Sequence, residues 1–314
     1  MLKKIKLFKK NGFVNFGSSL LKKNDINKLS SFSKKVYKKI SKEDSNFSDG
    51  DGVDGVLNIP IYDQRLAEII NKIFTNNSIN TFLNKILGKN FKIWCINFRR
   101  SPPGDKGLYM HQDGVGQVNM VIMLDNNLDG AGATAVLPSS HLLIQTQKKM
   151  NIELPYVVVN FFRYFFKPLS GSKGDILFFT NKLWHGRFSN KSTKNHDVLM
   201  IGLFPSGYSY DNGFPKKFID LNLGTHLGNF LASELDTNNS IVSNCEAREA
   251  TSIFLLKDSR YVLAIETHNY LSKIHKPVKL LLFVFFIRFI MGILYKPAKF
   301  LEKLKSIYLT KTKK

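Results

Sequence analysis

Two histidines and an aspartate carry the most specific chemistry in this chain. His111 and Asp113 stand two apart in Tyr109-Met110-His111-Gln112-Asp113-Gly114, and His185 follows far downstream in Leu183-Trp184-His185-Gly186. On an extended strand, residues i and i+2 point to the same side, so one imidazole and one carboxylate can meet a single ion. A second imidazole from a strand nearby in space completes a face of three ligands. Two nitrogens and a carboxylate, with coordination positions left open, suit a high-spin ferrous ion. A lone His-x-Asp is common by chance; the bland alternatives are a loop histidine at 111 and a ring packed on Trp184 at 185. Gly174-Asp175-Ile176-Leu177-Phe178-Phe179 sharpens the case, since it reads as a turn entering an apolar strand shortly before the second histidine.

The elements that must position these residues change period along the chain. In residues 1–90, Ile26, Leu29, Phe32, Val36 and Ile40 recur at spacings of three and four, which predicts an amphipathic helix with a lysine-rich outer face. Leu66 to Leu87 supports one or two more, with Leu66, Ile69, Ile70, Ile73 and Phe74 on one face. Between them, Ser48 to Gly55 alternates Asp and Gly and reads as a turn into a short strand. Residues 91–208 carry short strand candidates at 91–100, 118–124, 134–137, 176–179 and 198–204, separated by Gly, Pro, Asn and Asp. Many short strands with turn signals argue for a β-sandwich or barrel. An aromatic insert, Asn151 to Phe166, is expected as a lid or an apolar substrate wall.

Between the two histidine sites lies Gly130-Ala131-Gly132-Ala133-Thr134-Ala135-Val136-Leu137-Pro138-Ser139-Ser140-His141, and His185 is followed by Gly186-Arg187-Phe188-Ser189-Asn190-Lys191-Ser192. With His-Gln-Asp-Gly, the Gly-Asp-Ile turn and Trp-His, these make Trp94 to Pro205 resemble the phytanoyl-CoA dioxygenase family of Fe(II)/2-oxoglutarate oxygenases. Phe8-Lys9-Lys10-Asn11-Gly12-Phe13-Val14 resembles the same family's N-terminal opening. The resemblance implies a double-stranded β-helix, a jelly roll whose mouth holds iron on His111, Asp113 and His185, with N-terminal helices packed outside. It also implies 2-oxoglutarate and O2 as cosubstrates, and oxidative decarboxylation coupled to hydrogen abstraction and hydroxylation. Halogenating relatives replace the carboxylate ligand with a small residue, so Asp113 points to hydroxylation.

The cosubstrate site departs from the pattern. The family holds the distal carboxylate of 2-oxoglutarate with an arginine at the position that here is His196. A guanidinium grips a carboxylate with two parallel hydrogen bonds, whereas imidazole at neutral pH is often uncharged. Arg187, two residues after His185, faces the same way on a regular strand and is the favoured replacement over His196; Arg99 and Arg100 are outside candidates. Gln117 and Asn119 share parity on the strand after the first site and are expected to line the pocket.

The formal net charge of +22 predicts attraction to polyanions, but lysine bias, abundant Asn and Ile, and the absence of nucleic-acid-binding motifs argue against nucleic acid as partner. Two cysteines, Cys95 and Cys245, cannot build a disulfide framework and fit a reducing compartment. Met1 to Phe8 is basic without a sustained apolar run, so a cytoplasmic location is expected. Residues 209–314 are expected to form a helical extension. Within it, residues 277–295 are apolar, interrupted by Arg288 and fringed by lysines, the pattern of a helix lying in an anionic membrane surface or, alternatively, of one buried against the core or a partner copy. Two functions follow: a hydroxylase of a small or lipid-like substrate, or a non-catalytic membrane-peripheral binding protein with a degenerate 2-oxoglutarate site.

Overall fold

A computed structural model describes residues 1–41, 43, 47–48, 54–56, 64–89, 91–111, 117–128, 130–142 and 165–204. Asp113, most of the aromatic insert and the extension with its 277–295 segment therefore lie outside the described residues. Among the described residues, no helix is long and apolar enough to cross a membrane.

Two antiparallel sheets form the core. The larger runs in the order β1 (Phe13–Asn15), β9 (Ile176–Thr180), β6 (Val118–Met123), β11 (His196–Phe204), β4 (Lys92–Ser101), β3 (Asp54–Val56) and β2 (Phe47–Ser48). The smaller runs β5 (Leu108–His111), β10 (His185–Arg187), β7 (Thr134–Val136) and β8 (Lys167–Pro168). From β4 onward the chain passes repeatedly between the sheets, so their inner faces enclose residues from distant parts of the sequence.

Side-chain alternation assigns the two faces of the large sheet. Leu199, Ile201 and Leu203 of β11, with Met120 and Ile122 of β6, pack outward against the helices. Val121 and Met123 face inward, with Val198 and Met200 packed beside them, toward Leu169, Leu177 and Phe179. Every residue of β6 and β9 is buried, because helices cover one face and the second sheet the other. Both strands consequently read as nearly continuous apolar runs.

The helical cover is α1 (Leu2–Asn11), α2 (Lys23–Lys39), α3 (Gln64–Thr75) and α4 (Asn77–Leu87). Ile26, Leu29 and Val36 of α2 and Leu66, Ile69, Ile70, Ile73 and Phe74 of α3 are all buried, at the spacings the sequence shows. Asn76 divides α3 from α4: its side-chain oxygen accepts from Ser78 N–H at 3.0 Å and Ile79 N–H at 3.4 Å, an N-cap. The first helix, α1, is not evident from periodicity, since only Ile5 and Phe8 are buried. It is stabilised at its end. Gly12 takes a left-handed φ of 80° and donates to Phe8 O at 2.7 Å, the usual glycine stop.

Candidate active site

The loop after β7 assembles both ends of the site. Ser139 N–H donates to Asn11 O at 2.9 Å, Ser139 Oγ to Lys10 O at 2.9 Å, and His141 Nε2 to Lys9 O at 3.0 Å. These bonds satisfy the last carbonyls of α1, which a helix end leaves open. Ser140 works in the other direction. Its Oγ accepts from Trp184 N–H at 2.8 Å, and Leu137 N–H donates to Trp184 O at 2.8 Å, which fixes the backbone just before His185. Leu-Pro-Ser-Ser-His is thus a clasp between the first helix and the second histidine. Burial pushes the His141 imidazole down to about 3, so it serves as a neutral donor.

His111 and His185 are direct cross-strand partners on β5 and β10, with ring centroids 4.5 Å apart. His185 Nδ1–H donates to Leu183 O at 2.8 Å, which places that ring proton on Nδ1. The structure therefore brings together two of the three expected ligands on neighbouring strands. The third, Asp113, lies outside the described residues. Among the described residues no group of three or more His, Cys, Asp or Glu side chains gathers as a metal site.

These histidines open onto a cavity of about 310 Å³ between the sheets, near the lower end of the size range for ligand pockets. Its lining is mixed. Leu108, Val121, Met123, Leu169, Phe179 and Met200 give an apolar wall; Gln117, Asn119 and Asn181 give amide groups; Arg99, Arg187 and His196 give cations or a potential one. Gln117 and Asn119 thus face the pocket, as their parity predicts, and Asn119 Nδ2 donates to Asn181 Oδ1 at 2.5 Å.

Arg187 also faces the cavity, but its charge is already engaged. It forms a buried ion pair with Asp105, donating to Asp105 Oδ1 at 3.1 Å and to Ser101 Oγ at 3.1 Å. Asp105 is held in turn by Ser101 Oγ–H at 2.6 Å and Gly107 N–H at 2.8 Å. Gly107 is required there: its φ is 85°, and a Cβ would fall 2.4 Å from Arg187 O. Sequence reading missed Asp105 and Ser101. The available signal was Arg187 itself, because a guanidinium on an inward strand face needs a carboxylate, and Pro102 to Gly107 carries the nearest one in a turn.

His196 stands at the start of β11, with Nε2 3.2 Å from Ser192 Oγ and Nδ1 3.4 Å from Asp125 Oδ1. Burial raises the Asp125 carboxyl above its ordinary range, partly offset by the Asp197 N–H it accepts. Arg100, on the outer face of β4, makes two 2.7 Å bonds to Asp197 and stacks 4.0 Å over Tyr37 of α2. It is a fastening between sheet and helix, away from the cavity. Cys95 is buried, and its thiol is pushed up to about 12, consistent with an inert core residue.

A family profile described as phytanoyl-CoA dioxygenase (PhyH) matches residues 22–196, more than half of the chain. The chain belongs to the phytanoyl-CoA dioxygenase family. Ferrous iron, 2-oxoglutarate and O2 are the reactants that membership brings with it. Among solved structures, EctD from S. alaskensis with 2-oxoglutarate and 5-hydroxyectoine is similar at 13% identity, TM-score 0.55, over 67% of this chain and 78% of that one. The epimerase SnoN, in complex with Fe3+, alpha ketoglutarate and nogalamycin RO, is similar at 13% identity and TM-score 0.54, over 71% and 90%. The non-heme alpha ketoglutarate dependent carbocyclase SnoK from nogalamycin biosynthesis is similar at 14% identity and TM-score 0.51, over 67% and 86%. At such identities these likenesses speak to the fold alone. A comparison with curated proteins finds no match.

Proposed function

We propose that this protein is an Fe(II)/2-oxoglutarate-dependent hydroxylase acting on an unactivated C–H bond of a small or lipid-like substrate. The observation that carries the reading is the cross-strand pair His111–His185, rings 4.5 Å apart in the lining of the cavity. The passage of the chain between two antiparallel sheets supports a double-stranded β-helix as the scaffold. His111, His185 and Asp113 would hold the iron, and two imidazoles with a carboxylate are the donor set that ferrous oxygenases use. Bound iron and 2-oxoglutarate supply the oxidising power.

The chain's own residues do the rest. Leu183 O fixes the orientation of the His185 ring through Nδ1–H. The apolar wall from Leu108, Val121, Met123, Leu169 and Phe179 keeps water from the reacting carbon and accepts a hydrocarbon. The amides of Gln117, Asn119 and Asn181 supply orienting hydrogen bonds beside it. Asp105 and Ser101 hold the Arg187 side chain against the turn before β5, which steadies β10 and its histidine.

The second reading, a binding protein without turnover, is favoured by His196 at the usual arginine position and by the neutralised Arg187. Succinate release from 2-oxoglutarate by iron-reconstituted protein separates the two. Succinate formation that disappears in Asp113→Ala is expected. Background succinate in wild type with iron bound would leave the binding protein as the better description.

A further inference from the structure

Among the described residues, three cationic groups face the cavity besides the histidine pair, and two are already engaged. Arg187 is neutralised by Asp105, and His196 is spanned by Ser192 and Asp125. Arg99 differs. It is partly buried, its side chain lines the cavity, and no hydrogen bond or ion pair to another described residue engages its guanidinium. The register explains why. Its direct neighbours are Val198 on β11 and Gly55 on β3, neither of which can offer a countercharge. A guanidinium removed from bulk water without an anion is costly, and the cost is recovered when a ligand carboxylate arrives.

The position is also the right one. His196 pairs with Ser101 and Val198 with Arg99, all on the inner face, so residues 99 and 196 are diagonal neighbours across β4 and β11. Diagonal partners stand about 7–8 Å apart, within reach of a long side chain. An arginine at 99 therefore reaches the corner of the cavity that a long residue at 196 would otherwise serve. We infer that Arg99 grips the distal carboxylate of 2-oxoglutarate, an inference that rests on the oxygenase reading above, while Arg187 is a positioning residue.

The test is calorimetric titration of anaerobic, iron-loaded full-length protein with 2-oxoglutarate and with 2-oxopentanoate, which has the same chain but a methyl where the distal carboxylate stands. Wild type binds 2-oxoglutarate more tightly. Arg99→Gln weakens 2-oxoglutarate about 10- to 100-fold, the loss of a charge-assisted contact, and leaves 2-oxopentanoate within about threefold. Preference for 2-oxoglutarate that survives in Arg99→Gln, or that vanishes in Arg187→Met or His196→Gln instead, overturns the assignment. If Arg99→Gln binds neither acid, Arg99→Lys decides: a restored preference supports the assignment, and equal binding of both acids refutes it. Wild type that binds neither acid overturns the oxygenase reading itself, and this assignment with it.

Discussion

Substituting Asp105 is expected to unfold the site from within. Its carboxylate is fully buried and accepts from Ser101 Oγ, from Gly107 N–H and from the Arg187 guanidinium, whose own side chain is 9% exposed. Asp105→Ala removes one half of a buried ion pair and strands the other, which typically costs about 3–5 kcal/mol. At about 2–4 °C per kcal/mol for a domain of this size, the melting temperature falls by about 6–20 °C. Most of that loss comes from the uncompensated guanidinium rather than from the bond itself. The double variant Asp105→Ala/Arg187→Met should therefore be more stable than Asp105→Ala alone, by about 1–3 kcal/mol, in urea or guanidinium unfolding. Strict additivity, with the double variant worse than either single one, would refute the view that Arg187 is committed to Asp105. A cost below about 1 kcal/mol for Asp105→Ala would do the same.

Two further outcomes are open to direct measurement. His141 has its folded-state pKa pushed from 6.5 to about 3, so the stability it contributes is complete above pH 6.5 and is lost as pH falls toward 3. Unfolding free energy should drop by about 1.4 kcal/mol per pH unit in that window through this residue alone, and His141→Gln should flatten the wild-type slope by that amount. Truncation after Lys276 should abolish sedimentation with anionic vesicles; unaltered sedimentation would refute an attachment through residues 277–295.

What the sequence could reveal follows from which interactions are local. The buried stripes of α2 and α3 are legible because Ile26, Leu29 and Val36, or Leu66, Ile70 and Ile73, repeat at helical spacing. The inward parity of Gln117, Asn119 and Arg187 is legible because a strand alternates its faces without help from elsewhere. The helix α1 escapes because only two of its residues are buried and its last carbonyls are satisfied from 128 or more positions away, by Ser139 and His141. The same loop reads as a family signature in the sequence, and only the fold shows it to be a cap. Parity likewise places Arg187 inward but cannot reveal that Asp105, in a turn between β4 and β5, arrives beside it. Arg99 looks unremarkable next to Arg100 in the sequence. Their difference appears only when Asp197 and Tyr37 meet one on the outer face, and Gly55 and Val198 flank the other within.

The central claim is that His111, His185 and Asp113 close on a single ferrous ion. Anaerobic titration with Fe(II), followed by equilibrium dialysis and metal analysis, tests it most directly. Wild type should bind one iron per chain, with His185→Ala and Asp113→Ala each at least about tenfold weaker. Equal retention of iron by wild type and both single variants would place the metal elsewhere and contradict the account.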